Sequence, residues 1–375
     1  MRFELLIENF KLERYFGLYE FKTRHLFSSS DCDGYSMQYV LQQASNKELE
    51  LWNNLRLGYT ESEGSFRLRE YISKLYQKMT PDNIIVSSPG EANFIFMNIL
   101  LKSTDHVICI SPSYQSLYQV VKTIGCEISF WEPDKNNWHY DPLHLESLVR
   151  KNTKLIIINF PHNPTGAFPS INELMKIVEI ADDNHIYLFS DEMYHLLTHK
   201  NIQEIPCICD VYEKGVSLWG MSKTFGLAGL RIGWLACQNK KLLKKVLSYK
   251  DYLSICNNAP SEILSMIAIN HKDQFIAPNL LKINKNIRLL VDFKSSHRNF
   301  INFISPKAGS TCFAHLNILE STYEFCQKLI KRTGIMLVPS EIFEYESGYV
   351  RIGFGRNNFP EILDIFHEYV EKYYN

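Results

Sequence analysis

The sequence predicts an α/β protein: a mostly parallel, seven-stranded sheet covered by helices on both faces, followed by a smaller α+β module. Short β-branched runs alternate with amphipathic helical segments between about residues 84 and 236, the pattern of βα units in a buried parallel sheet. The residues with unusual chemistry then fall just past the ends of the runs: Gly90, Tyr114, Asn163, Asp191 and Lys223. In open α/β sheets that edge is where ligands bind. Five such positions are harder to explain by packing than any one of them.

The elements follow in order. Residues 1–35 read as an irregular arm rich in aromatics (Tyr15, Phe16, Tyr19, Phe21, Phe27), which either packs on the core or closes over a pocket. Helical spacing covers 36–54, through Met37, Val40, Leu41, Leu49, Leu51 and Trp52, and another helix begins at Phe66 after the Gly58 and Gly64 turn. Strands are expected at Ile84–Ser88, Val107–Ile110, Cys126–Trp131, Leu155–Asn159, Ile186–Phe189, Val216–Trp219 and Ile232–Ala236. Helices are expected after Ser88, after Pro112, over Leu174–Ala181 and through most of 242–272. Beyond about 275 the pattern becomes a basic helix, a hairpin-like stretch, a helix from 321 to 333, two strand-like runs and a last helix. The expected division is a large domain of 36–270 and a smaller one made of 1–35 with 271–375.

Composition removes several function classes. The 375 residues are 45% hydrophobic and 22% charged with a formal net charge of −1, so no basic excess points to nucleic acid. No apolar run approaches membrane-span length, and MRFELLIENFKLERYF carries glutamates where a signal peptide would be apolar. Nine scattered cysteines suit reduced thiols in a cytoplasmic protein. Neither they nor the 12 histidines stand at zinc spacing, so no metal is expected. GLAGLRIG is not G-x-G-x-x-G, which argues against a dinucleotide-binding oxidoreductase. The absence of an N-terminal helix-turn-helix pattern argues against a DNA-binding regulator.

The chemistry centres on Ser217–Trp234, SLWGMSKTFGLAGLRIGW. A lysine in an apolar setting loses solvation, its amine pKa falls, and the neutral amine becomes a nucleophile toward a carbonyl. Arg231 is placed to fork onto a phosphate. With Ser88-Pro89-Gly90 before a helix, PSY at 112–114, PHNPTG at 161–166, SDEMY at 190–194 and YVRIGFG at 349–355, the chain resembles the class I/II aminotransferases, the fold-type-I enzymes of pyridoxal 5′-phosphate (PLP). The match runs from about Leu57 to Arg351, with the motifs in the family's order.

The resemblance implies roles. Lys223 would hold PLP as a Schiff base and then shuttle a proton at the substrate Cα. Asp191 would face the pyridine nitrogen, though an aspartate after a strand also caps helices. Tyr194 and Asn163 would contact the ring's phenolate oxygen. Tyr114 would stack on the ring, with a plain core aromatic as the alternative. Ser88, Pro89, Gly90, Ser222 and Arg231 would hold the phosphate at a helix N-terminus. Tyr59 would reach the phosphate of a neighbouring subunit, making a homodimer with shared sites; otherwise it is a surface turn residue. Arg351 would grip the substrate α-carboxylate, with Arg356 as the alternative and a surface ion pair as the bland reading, and Tyr118 would line the substrate side.

Two departures stand out. Gly220 occupies the place of a family Ser or Thr, and Pro89 lacks an N–H, so Ser87, Ser88 or Ser222 is expected to compensate. The expected activity is amino transfer from an L-α-amino acid to a 2-oxo acid. DCDG, LRLGYTESEG and the lysine stretch also resemble a subgroup acting on arginine-like amino acids, including cyclising enzymes related to capreomycidine synthase. The alternative is therefore a lyase, cyclase or oxidase on such a substrate, with Glu13, Glu20, Asp31 and Asp33 able to meet a guanidinium or simply exposed.

Overall fold

In the computed structural model, which describes residues 7–374, the arm is not irregular throughout. Lys11–Tyr19 is a helix (α1) that buries Leu12 and Tyr15, and His25–Leu26 is a short strand (β1). The stretch expected as one helical segment over 36–54 is two helices, α2 (Met37–Gln42) and α3 (Asn46–Asn53). The break lies at Ser45, whose side chain accepts from the Glu48 N–H while Glu48 accepts from the Ser45 N–H. That capping box starts a new helix instead of continuing the old one. Helix α4 (Phe66–Ser73) begins on the Ser65 hydroxyl.

The expected sheet is present. Its strands are β2 (Ile84–Ser87), β3 (His106–Ile110), β4 (Glu127–Trp131), β5 (Thr153–Asn159), β6 (Tyr187–Asp191), β7 (Gly215–Gly220) and β8 (Gly233–Cys237), in the order β2-β8-β7-β6-β5-β3-β4. All neighbours are parallel except the two pairs made by β8. Helices α5 (Pro89–Leu100), α6 (Ser116–Ile124), α7 (Pro142–Ser147), α8 (Ile171–Asp183) and α9 (Ile208–Val211) fill the crossovers. The short α7 and α9 carried no periodic signal. Strand β5 shows why its sequence is nearly all apolar. Ile156 and Ile158 pack with Leu174 and Ile177 of α8, while Leu155 and Ile157 pack on the other face with Phe96 of α5 and Val121 of α6. Each such side chain contributes roughly 1.5–3 kcal/mol by burial.

Two helices, α10 (Lys240–Lys250) and α11 (Ala259–Asn270), precede the 25-residue α12 (Lys272–Ser296). After them come β9 (Ile301–Asn302), β10 (Thr311–Leu316), α13 (Thr322–Thr333), β11 (Ile335–Met336), β12 (Val338–Pro339), β13 (Tyr349–Gly353) and α14 (Phe359–Tyr373). Strands β12-β13-β10-β9 form an antiparallel sheet, and β1 pairs in parallel with β11, which brings the arm beside the last third of the chain. Among the described residues no helix is long and apolar enough to cross a membrane. All nine cysteines are free thiols, eight of them buried.

Gly353 sets how close the arm can lie. Its N–H donates to the Phe27 carbonyl at 2.9 Å, and a Cβ added there would overlap the Ser29 carbonyl. Gly353→Ala must therefore push residues 27–31 off β13. The expected cost is about 3 kcal/mol or more, seen as a lower thermal midpoint with increased proteolysis of the arm. An unchanged midpoint would mean that the arm does not need this contact.

Candidate active site

Strands β5, β6 and β7 end side by side, with Asn159 opposite Asp191 and Asp191 opposite Leu218. Above their ends opens a cavity of about 400 Å³, within the size range of small-molecule sites. It brings together Lys223, Asp191, Tyr194, Tyr114, Asn163, Ser222, Arg231, Pro89, Gly90 and Arg351. Three expected residues do not line it. Ser88 stands at the N-cap of α5 without a side-chain cap bond. Tyr118 is 2% exposed in the core between sheet and helices, its ring against Phe130, because the apolar face of α6 turns it inward. Tyr59 is exposed at the surface.

The half-buried Lys223 lies on the wall of this cavity, and its Nζ donates to Ser30 Oγ at 2.9 Å. Burial lowers its amine pKa, against a smaller upward pull from Asp31. Asp191 is buried and its Oδ1 accepts from the Met193 N–H at 3.2 Å. Burial pushes its pKa up to about 6, with the amide bond and Lys223 opposing. A buried carboxylate in that state asks for a cationic partner. The Tyr194 hydroxyl donates to the Ser30 carbonyl at 3.0 Å, and burial raises its pKa. Tyr114, at the turn before α6, donates to Glu13 Oε1 at 3.0 Å and meets the Phe10 ring at 4.9 Å, so the arm holds it from outside.

Arg351 sits mid-strand in β13, paired on one side with Phe313 and on the other with Val338. Its side chain is fully buried. Nε donates to the Ser28 carbonyl and Nη1 to Asn163 Oδ1, each at 3.1 Å, whereas among the described residues Nη2 has no partner. Phe16 and Phe343 lie against the guanidinium at 5.6 and 5.4 Å. A buried cation with an unpaired N–H end is costly until an anion completes it. Arg356 is already engaged, by Asp31 at 3.2 Å and Asp33 at 3.5 Å, which leaves Arg351 as the carboxylate-gripping candidate.

The departures in the phosphate turn have one steric cause. Gly220 and Gly233 face each other across β7 and β8, and the ring of Pro89 lies over both. A Cβ at Gly220 would stand 2.8 Å from Gly233 Cα and from the Ile232 carbonyl, and one at Gly233 would stand 2.7 Å from Pro89 Cγ. No hydroxyl side chain fits at 220 here. Ser87 does not compensate, since its hydroxyl donates to Glu91 at 2.6 Å. Ser222, Arg231 and the α5 N-terminus at Gly90 remain on the cavity wall, a suitable anion site at a helix start.

Sequence reasoning missed Ser30, Asn93 and Asn159; it had Phe16 in an arm that packs on the core or closes over a pocket, and the arm acids as able to meet a guanidinium or simply exposed. Glu13, Glu20 and Asp31 line the cavity, whereas Asp33 is held by Lys282 at 3.0 Å and by Arg356. Asn159 positions the site from below: its Nδ2 donates to the Asp191 carbonyl at 2.8 Å and its Oδ1 accepts from the Asn163 N–H at 2.9 Å. Asn93 donates to Ser116, and among the described residues its Oδ1 has no partner. Only the NPTG context hinted at Asn159; nothing local marked the others.

An amine with a lowered pKa, a buried carboxylate, a helix start and a buried arginine open to an anion are the donor set that PLP and an amino acid require. The model of the family "Aminotransferase class I and II" matches residues 25–361, and the chain belongs to that family. It is a PLP-dependent enzyme of the aminotransferase type. The chain is 25% identical over 296 residues to the capreomycidine synthase of Streptomyces vinaceus, covering 78% of this chain and 75% of that protein. It is 28% identical over 325 residues to an aspartate aminotransferase of Sulfurisphaera tokodaii, covering 79% and 78%. A crystal structure of a PLP-dependent aminotransferase from Streptococcus suis superposes with a TM-score of 0.92 at 27% identity, covering 99% of this chain and 100% of that one.

The raised pKa of Asp191 has a stability consequence for the cofactor-free protein. The carboxyl binds its proton more tightly folded than unfolded, so its contribution is complete below about pH 4 and is lost as pH rises to about 6. Asp191→Asn removes the buried charge. Cofactor-free Asp191→Asn is expected to be more stable than the parent at pH 8, on the order of 3 kcal/mol at most, with the advantage vanishing near pH 4. Parallel stability curves across that range would contradict the burial of this charge.

Proposed function

We propose that this enzyme transfers the amino group of an L-α-amino acid to a 2-oxo acid, with Lys223 as the residue that carries the cofactor. The observation that carries the proposal is the meeting, in one cavity, of the desolvated Lys223 amine and the buried Arg351 guanidinium with its unpaired Nη2. When bound, PLP supplies an aldehyde for the amino group and a ring that accepts the electron pair released at Cα. Asp191 would keep a proton on the ring nitrogen, and that charge pair would relieve the cost of burying the carboxylate. Tyr194 and Asn163 would bind the ring oxygen. Gly90, Ser222 and Arg231 would bind the phosphate. Arg351 takes the substrate carboxylate through Nη2 and so turns the Cα–H bond toward Lys223, which moves the proton. Phe16, Phe343 and Tyr114 exclude water around these charges.

The division of the chain suits these roles: 36–270 supplies Lys223 and Asp191, while 1–35 with 271–375 supplies Ser30 and Arg351. A homodimer is part of the proposal. Leu57, Tyr59 and Tyr252 are 85, 91 and 90% exposed, and the Thr60 hydroxyl donates to the Asn257 carbonyl, which sets the two segments side by side. A second copy would cover this patch and receive Tyr59 at its phosphate. A monomer mass by light scattering of the holoenzyme would exclude that arrangement.

A second reading is favoured by the acids of the arm. Glu20 lines the cavity, and among the described residues its carboxylate has no hydrogen bond or ion pair. Burial first, then the like charge of Asp31, raises its pKa. It suits a substrate with a cationic side chain, and with the likeness to capreomycidine synthase this supports cyclisation or elimination on an arginine-like amino acid. Product analysis separates the two. Transamination consumes a 2-oxo acid and releases another; the alternative proceeds without a 2-oxo acid.

Lys223→Ala is expected to lose the visible absorbance of the lysine-bound cofactor and all turnover while remaining folded; retained turnover would remove Lys223 from its role. Arg351→Lys should lower kcat/KM for every amino acid by about 10²-fold and leave the cofactor absorbance unchanged. Glu20→Gln should lower kcat/KM about tenfold for arginine-like substrates and little for neutral ones. Equal losses for both would leave no side-chain role for Glu20.

A further inference from the structure

Helix α12 runs from beside the lysine loop to a cluster that plays no part in the site above. Near its start Asn279 Nδ2 donates to the Thr224 carbonyl, next to Lys223, at 3.2 Å. Further along, Asn286 Nδ2 donates to the carbonyls of Phe354 and Arg356, each at 2.9 Å. Just past its end lies His297, buried, its ring stacked on Phe293 at 4.2 Å. Both ring nitrogens of His297 face oxygen. Nδ1 is 2.9 Å from the Phe293 carbonyl, and Nε2 is 3.0 Å from Glu371 Oε1. A carbonyl only accepts, so Nδ1 carries the proton, and the neutral ring turns its Nε2 lone pair toward a carboxylate. That arrangement calls for a cation between them, either a second proton or a metal ion.

His367 decides between the two. It precedes Glu371 by one turn on α14, on the same face, and its ring lies 4.9 Å from that of His297. One donor atom from each of the three residues lies within 4.8 Å of the others. A proton needs only the carboxylate; a second imidazole at the same point supplies a third ligand. Bond lengths of about 2.0–2.2 Å put ligand atoms about 3.4 Å apart around tetrahedral zinc. The His297–Glu371 pair already has close to that spacing, and His367, exposed on α14, would turn inward to match it. An Nδ1–H bonded to a carbonyl is also the support that fixes a metal-bound histidine. Two imidazoles and one carboxylate suit a first-row transition ion, whereas calcium and magnesium take oxygen ligands.

We propose that His297, His367 and Glu371 bind one divalent transition-metal ion, zinc being the best match, and that the ion ties the end of α12 to α14. The sequence hid it because His297 and Glu371 are 74 positions apart. In the test, PLP-loaded enzyme is stripped with a chelator, dialysed and equilibrated with zinc chloride, and bound zinc and the thermal midpoint are measured. One zinc per chain and a raised midpoint are expected, with no such rise for magnesium or calcium. His367→Ala, an exposed position, should fold with the parent's zinc-free midpoint and weaken zinc binding about tenfold or more, as should Glu371→Gln. Absence of stoichiometric zinc at micromolar concentrations would overturn the proposal. So would zinc binding that is unchanged in both variants, which would place the ion on other groups such as the thiols.

Discussion

Two stretches of backbone from opposite ends of the chain, residues 27–31 and strand β13, lie so close at Gly353 that a Cβ would not fit between them. Much of the active site hangs on that approach. The Ser28 carbonyl orients Arg351, the Ser30 hydroxyl receives the Lys223 amine, and the Ser30 carbonyl holds both Tyr194 and Ser310. The same stretch sets Asp31 on the cavity wall. One arm thus touches the lysine on the sheet side and the arginine on β13. The distance between these two charges is set by backbone contact more than by flexible side chains, which is how a site holds reacting groups in register.

The charges inside are arranged at the protein's own expense. Burial drives Lys223 toward its neutral form and Asp191 toward its protonated form, and it leaves Arg351 with an unpaired N–H end. Each of these is unfavourable alone and would be relieved by a ligand of opposite character, as in the function proposed: an aldehyde for the amine, a ring cation for the carboxylate, a substrate carboxylate for the guanidinium. The cavity is therefore selective through what it lacks. Asn159 joins two of these elements by bonding both the Asp191 carbonyl and the Asn163 amide, so the buried carboxylate and the partner of Arg351 share one strand end.

The sheet and its edge were legible in the sequence because their signals are local. An apolar run of strand length, followed by a turn with one polar residue, announces both the strand and the site residue after it. The arm was not legible for the opposite reason. Ser30 meets Lys223 across 193 positions and Ser28 meets Arg351 across 323, and neither contact leaves a periodic trace. Helix α1 was missed because its aromatics looked like scattered packing residues. Tyr118 was misplaced because proximity in sequence to Tyr114 says nothing of which face of α6 it occupies; it turned into the core. The split at Ser45 was readable in principle from Ser45 and Glu48, which spell a capping box that the apolar spacing obscured.

Pro89, Gly220 and Gly233 crowd a single volume at the start of α5, and neither glycine has room for a side chain while its neighbours stay in place. They behave as one variable spread over three codons. A search that adds a side chain at 220 or at 233 alone meets a clash with backbone or with the Pro89 ring, whether the search is made by selection or in a mutant library. A serine at 220 becomes reachable only along a path that first removes the proline ring and lets the two strands part slightly. The uncommon form of this turn is held in place by the steric order in which its parts would have to be exchanged.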